Sequence, residues 1–468
     1  MTTSRLLCVV SACIGLAGAS LLIADEPVYD AWAWLVWGRE LAHLGLDTSS
    51  GPSWKPLPVI LAAPLSVAGD AAPQLWLVLV RAAWLGSFVL AGELAYRLAA
   101  GLAPPMRRVA AWFAVVVLAL LFDDVTAWAR QVAGGMSEAL LVALVLGAVR
   151  AAVGGHARAA LVLGALAALV RPEGWLALIA YAAWSCAGSR DPRARPVAVA
   201  VAFVVPALWL APDLLGAGGG GSERAQRGTG DPAEALWWAA MLPIAVAWPL
   251  AFLGARERRG APRVLAAGAL AWIALVAAMT LLGFPGLPRF AAPAAAIVAV
   301  LGGVGLAALL ARPRGNGPVA FAIVALALGV TVVGLPHRVS GVPDAWRAAA
   351  RISDSHDRLR AAVGAAGGGE ALLRCGHLAT SDVLVRTALA WELGVPLSHV
   401  VSFGEPSRRS GAFVIGLQAS PGLRHDMLAA GRLVARQGEW SVTSVACPVT
   451  ASSAAAAARS AGVSGASR

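Results

Sequence analysis

The 468-residue chain is 59% hydrophobic and only 13% charged, and its 37 lysines and arginines against 26 acids leave a net charge of +11. Soluble domains carry about 25% charged residues, so this much apolar surface excludes a water-soluble core and implies a polytopic α-helical membrane protein. The positive balance does not imply nucleic acid, because the arginines fall in short clusters between apolar runs rather than on one basic face.

In chain order, eleven apolar runs qualify as membrane spans: residues 6–24, 73–99, 109–122, 137–153, 158–170, 174–188, 196–215, 236–254, 264–283, 289–311 and 318–335. The fifth and sixth are short and also suit a re-entrant pair. The first is expected to be a retained span. Ala17-Gly18-Ala19 is only a weak cleavage signal, and the apolar stretch before Cys13 is too short for a lipoprotein leader. Residues 56–68 are apolar but short and rich in proline, so they lead into the second span or lie at the interface. Arginines mark every second loop: Arg97, Arg107 and Arg108; Arg150 and Arg158; Arg190, Arg193 and Arg195; Arg256, Arg258, Arg259 and Arg263; Arg312 and Arg314. The positive-inside rule places that set, with Arg5 and the N-terminus, in the cytoplasm of a plasma membrane. The alternate loops, at 25–55, 123–130, 171–173, 216–232 and 284–289, then face outward, as does everything after Pro336.

Residues 336–450 change character and predict a small extracytoplasmic α/β domain, following a transmembrane domain over 1–335. Helices are expected at 344–362, 381–394 and 424–437, and strands at 371–374, 412–417 and 440–446. The Ala/Ser/Gly-rich end, 451–468, reads as a disordered tail. Cys8, Cys13 and Cys186 lie in apolar runs and read as small apolar residues. Cys375 and Cys447 each end a predicted strand, and an oxidising compartment favours a disulfide between them. His43 and the histidines of the C-terminal region lack ligand spacing and read as surface residues. The run Gly218–Gly221 lacks the Lys-Ser/Thr of a phosphate loop and reads as a linker.

The charges of the outward loops carry most of the functional information. They are Asp25 and Glu26 with Asp30; Trp54 and Lys55; Asp123, Asp124, Arg130 and Glu138; and the isolated Arg171 and Arg289. Arg81 lies within a span, where an arginine costs about 3 kcal/mol, so it should face the bundle interior, pair with Glu93 or Glu138, or touch a phosphate. Each feature has a plainer reading: an acid pair ending a span in water, a snorkelling Lys55, an interfacial anchor at Arg289, or an aromatic belt of Trp32, Trp34 and Trp37 on an interfacial helix. Taken together, carboxylates for general-base work and cations for a phosphate suit transfer of a group from a lipid phosphate to a hydroxyl.

Asp25-Glu26 after the first span, the aromatic-rich segment that follows, and Lys55-Pro56-Leu57-Pro58 resemble the first outer loop of the GT-C glycosyltransferases. The aminoarabinose and protein O-mannosyl transferase branches are the nearest, although their Lys-Pro-Pro-Leu segment has proline where Leu57 stands. The stretch from Ala129-Arg130 to Glu138-Ala139-Leu140 resembles their second outer loop, and Arg171-Pro172-Glu173 resembles an arginine–proline element of several branches. The resemblance covers about the first 180 residues. It implies an inverting transferase that moves a hexose or pentose from a polyprenyl-phosphate carrier to a cell-envelope acceptor, glycan, lipid or protein, at the outer face. Asp25 would be the base, with Glu26 beside it in the catalytic pair. Lys55, Arg171 and Arg289 would bind the phosphate, with Arg81, Arg130 and Trp54 as further contacts. Glu26, Asp123, Asp124 and Glu138 would orient the acceptor or hold a divalent metal, though no tight ligand motif requires one. The rival readings are a lipid-linked sugar flippase, which predicts paired broken helices in two similar halves, and a non-catalytic envelope-assembly protein.

Overall fold

The structure is a computed structural model that describes residues 3–23, 26–120, 125–188, 191–215, 231–233, 236, 246–258, 260–312, 318–340, 342–373, 378–380, 384–402, 411–415 and 432–445. Among these, five helical segments are long and apolar enough to cross a membrane: Ser4–Leu22, Pro56–Leu98, Ala194–Pro212, Ala261–Leu281 and Pro288–Leu310. Shorter apolar helices, including Ala157–Ala168 and Gly174–Gly188, pack among them. The chain is a polytopic helical membrane protein with a small C-terminal sheet region.

Helix Ala292–Leu310 runs through the centre of the bundle, buried along nearly its whole length. Seven of its nineteen residues are alanine and three are glycine, and small residues let neighbouring backbones close in. A Cβ at Gly303 would sit 2.2 Å from the Ala110 carbonyl oxygen of helix Pro104–Ala119. A Cβ at Gly305 would sit 1.8 Å from the Leu250 carbonyl oxygen of helix Ala247–Glu257. Residues 56–68 are indeed a lead-in: a helix over Pro56–Leu65 passes through a tight turn, with Gly69 at φ 55°, into the long helix Ala72–Leu98.

The helix that follows the first span, Tyr29–Ala42, is buried on all sides, with Trp32, Trp34 and Trp37 at most 1% exposed. Those tryptophans are core rather than an interfacial belt. The bundle covers one side of this helix through Trp34 and Trp76, whose rings lie 5.8 Å apart. The C-terminal region covers another through Trp32 and Trp391, 6.1 Å apart. Buried side chains of the bundle and of the C-terminal region thus form one continuous apolar cluster.

The C-terminal sheet has the order β2-β1-β3-β5-β4. Strand β1 (Leu378–Thr380) pairs in parallel with β2 (Val400–Ser402) and β3 (Gly411–Ile415). Strands β4 (Arg432–Gln437) and β5 (Trp440–Val445) form a hairpin that pairs antiparallel with β3. The expected strands at 412–417 and 440–446 and the first expected helix, now Val342–Ala365, are present where described. Two expectations fail. Residues 371–373 close a short helix, Gly368–Leu373, and the first strand begins only at Leu378. Residues 432–437 form a strand instead of ending a helix, because Gly438, at φ 53°, turns the chain back and lets the stretch pair with Trp440–Val445.

Candidate functional site

One buried carboxylate gathers the charges that the sequence left scattered. Glu138, at the start of helix Glu138–Val153, is 0% exposed. Its Oε1 accepts a hydrogen bond from Arg171 Nη1 at 3.2 Å. Lys55 Nζ and Arg289 Nε each stand 3.6 Å from the same oxygen, in ion-pair contact. Arg171 turns its other edge to Glu173 Oε1, donating from Nη2 at 2.9 Å and Nε at 3.2 Å. Lys55 also donates to Ser137 Oγ at 3.0 Å and lies 4.9 Å from the centroid of the Trp34 ring. Phe290 fills the space between the two arginines, 3.5 Å from Arg171 Cζ and 5.7 Å from Arg289 Cζ. Aromatic faces attract such cations and help hold them in place.

The backbone explains why residues so far apart in sequence meet. Lys55 precedes helix Pro56–Leu65, whose Leu57 N–H donates to Leu169 O at 3.1 Å and so joins the lysine segment to the one that carries Arg171. Phe290 and Arg289 sit in a single helical turn, Pro288–Ala291, whose Phe290 carbonyl accepts from Trp272 Nε1 at 2.8 Å. The turn Gly134–Ser137 is pinned more tightly. Val28 N–H donates to Gly134 O at 2.9 Å, and Trp76 Nε1 donates to Gly135 O at 2.9 Å. Arg81 donates to Ala133 O at 2.7 Å and to Ser20 Oγ at 2.8 Å. Arg81 therefore faces the bundle interior, as its depth requires, and anchors the backbone just before the turn that presents Ser137 and Glu138.

Other expected site residues lie apart from this cluster. Glu26 turns toward the C-terminal region, where its Oε2 is 3.6 Å from His356 Nδ1. Both side chains are about one-eighth exposed (12%), so His356 is not the surface residue expected from sequence. Trp54 is buried beside Lys55, packs on Trp37 and donates to Leu208 O at 3.2 Å. Arg130 is exposed near the end of helix Val125–Ala133. Glu93 takes Arg97 and Arg150 instead of any residue of the cluster. Asp25, Asp123, Asp124, Cys375, Cys447 and the Gly218–Gly221 run lie outside the described residues.

Ser137, Glu173, Phe290 and Trp34 were not singled out as site residues by sequence reasoning. The one legible signal among them was Glu173, an acid two residues from an isolated arginine of an outward loop. Three cations around a single carboxylate oxygen make an anion site. Among the described residues no group of three His, Cys, Asp or Glu side chains is placed to hold a metal. Three oriented donors of this kind, shielded from water, suit a phosphate ester.

This architecture has solved counterparts. ArnT from Cupriavidus metallidurans in the apo state superposes with a TM-score of 0.57 at 15% identity, over 95% of this chain and 98% of that one. This chain shares the fold of that structure. The same ArnT bound to undecaprenyl phosphate gives a TM-score of 0.55 at 16% identity, with the same coverage of both chains. The archaeal oligosaccharyltransferase AglB from Archaeoglobus fulgidus aligns more loosely, with a TM-score of 0.44 at 13% identity over 88% of this chain and 69% of that one. No family model matches the sequence, and no curated protein matches it.

Proposed function

We propose that this chain is a GT-C membrane glycosyltransferase that moves a sugar from a polyprenyl-phosphate carrier to an acceptor hydroxyl of the cell envelope, at the outer face of the plasma membrane. The observation that carries the reading is the convergence of Lys55, Arg171 and Arg289 on one buried site. Burial strengthens each cation for an anionic leaving group. That ArnT has been captured with undecaprenyl phosphate gives this fold a precedent for the carrier.

Asp25 is the base. It takes the proton of the acceptor hydroxyl, whose oxygen attacks the anomeric carbon from the face opposite the phosphate. A new C–O bond forms as the bond between the anomeric carbon and the phosphate oxygen breaks, with inversion. The electron pair leaves on polyprenyl phosphate, where Lys55, Arg171 and Arg289 stabilise the added charge. The proton on Asp25 passes to water. Glu26, tied to His356, fixes the acid segment from the side of the C-terminal region.

The test is transfer by the purified full-length protein in lipid nanodiscs, supplied with a panel of polyprenyl-phosphate sugars and envelope acceptors. Asp25→Asn should lower kcat by about 10²–10⁴-fold, the usual contribution of a general base, with donor binding kept. Lys55→Ala should weaken donor binding by about 10- to 100-fold, as expected for loss of a charge-assisted hydrogen bond. Undiminished transfer by Asp25→Asn would overturn the assignment.

A further inference from the structure

The carboxylates of the cluster are only half used. Arg171 holds Oε1 of both Glu138 and Glu173. Oε2 of each is buried and has no hydrogen-bond partner, on side chains 0% and 2% exposed. Orphaned buried acceptors are rare, because each forfeits the hydrogen bonds it made in water. Two of them hung on one guanidinium, from chain segments 35 positions apart, form a prepared pair of acceptors.

Two acceptor-only oxygens require donors. A divalent cation or an ammonium group would supply the right sign for the carboxylates alone. Among the described residues no group of three acids is placed to hold a metal, and the three cations already face the charges of Glu138, Glu173 and Asp30. Neutral hydroxyls satisfy both constraints. They are also the groups that arrive with the substrate: in a sugar joined to phosphate at its anomeric carbon, the neighbouring ring hydroxyls must lie beside whatever grips the phosphate. The cluster is approached past Arg289, whose side chain is 25% exposed while those of its partners are at most 8% exposed.

We infer that Glu138 and Glu173 form the sugar-reading subsite of the donor, accepting hydrogen bonds from two vicinal hydroxyls through their free Oε2 atoms. The inference rests on the transferase reading for the source of the ligand. It assigns to Glu173 a role beyond supporting Arg171.

The experiment measures dissociation constants and turnover for the full-length protein in nanodiscs, using polyprenyl-phosphate-linked arabinose and mannose and their 2-deoxy analogues. Glu173→Gln keeps an oxygen for Arg171 and puts an NH2 group where the free oxygen stood. Wild type should bind the preferred neutral donor about 10- to 100-fold more tightly than its 2-deoxy analogue, the range for a hydrogen bond to a charged acceptor. In Glu173→Gln that ratio should shrink to roughly threefold or less. Glu138→Gln, judged by the same ratio, provides a second variant should the first fail to fold. An unchanged deoxy penalty in a folded variant would overturn the inference. Discrimination in binding without transfer to any acceptor would uphold the subsite and sink the transferase reading.

Discussion

Two buried glutamates of this chain meet opposite surroundings, and the contrast shows what burial does to a charge. Glu138 is compensated by three cations. Glu40, in the buried helix Tyr29–Ala42, has the Asp47 N–H on its Oε2 at 2.9 Å, while its Oε1 is buried without a hydrogen-bond partner. Burial, reinforced by the nearby Asp47 charge, pushes the Glu40 carboxyl up to about 7. A raised acid binds its proton more tightly in the folded state than in the unfolded one. Its contribution is therefore favourable at low pH and is lost as pH rises from the ordinary glutamate range to about 7. Thermal unfolding of the detergent-solubilised protein should show stability falling across that window, by up to about 3 kcal/mol. Glu40→Gln should remove most of that slope. A wild-type curve as flat as the variant's would show that Glu40 stays ionised in the fold.

At the scale of elements, the turn Gly134–Ser137 does more than its length suggests. It ties the acid segment to the cationic cluster, because Val28 bonds to Gly134 at one end and Ser137 meets Lys55 at the other. Gly135 has φ +77°, and a Cβ there would lie 2.8 Å from Trp76 Nε1. Both the backbone conformation and the space demand glycine. Gly135→Ala should destabilise the protein by about 1–3 kcal/mol. Under the transferase reading it should also weaken donor binding out of proportion to that loss, since Ser137 and Glu138 move with the turn. Titration with polyprenyl phosphate alongside thermal melts checks both effects. The residues at the two ends of this argument differ in how far sequence revealed them. Lys55, Arg171 and Arg289 were legible because cations in an apolar chain are costly and so mark function. Glu138 was legible as a site residue, but not as the hub, because its partners come from positions 55, 171 and 289 and only the fold brings them together. Glu173 was passed over because its only sequence neighbour of note, Arg171, already had a role. The strand Arg432–Gln437 was missed because its mix of arginine with apolar residues fits either periodicity, and the deciding fact is its pairing with Trp440–Val445.

At the scale of the molecule, the C-terminal region behaves as a clamp on the first-loop helix rather than as a separate appendage. Arg39, near the end of helix Tyr29–Ala42, reaches across and donates to three carbonyls, Trp391 O at 3.2 Å, Ala390 O at 3.3 Å and Val395 O at 2.9 Å. These close the C-terminal end of helix Arg386–Glu392, where a cation also meets the negative end of the helix dipole. Arg39 Cζ also lies 5.1 Å from the Trp391 ring centroid. Thr387 Oγ1 donates to Tyr29 O at 2.9 Å, and Arg386 donates to Ser50 Oγ, so the same short helix grips the first loop at three places. Tyr29 lies three positions after Glu26, whose carboxylate also faces this region through His356, so docking holds that acid from two sides. Arg39→Met keeps the apolar stem but strips the donors from three carbonyls, and should loosen the clamp by about 2–3 kcal/mol. Hydrogen exchange should then accelerate together in Tyr29–Ala42 and Arg386–Glu392, while the core helix Ala292–Leu310 keeps its protection. Under the transferase reading, kcat should fall with the donor dissociation constant nearly unchanged, because the cationic cluster makes no contact with Arg39. Exchange that stays at wild-type rates in both helices would show that the apolar contacts around Trp32 and Trp391 suffice to hold the two regions together.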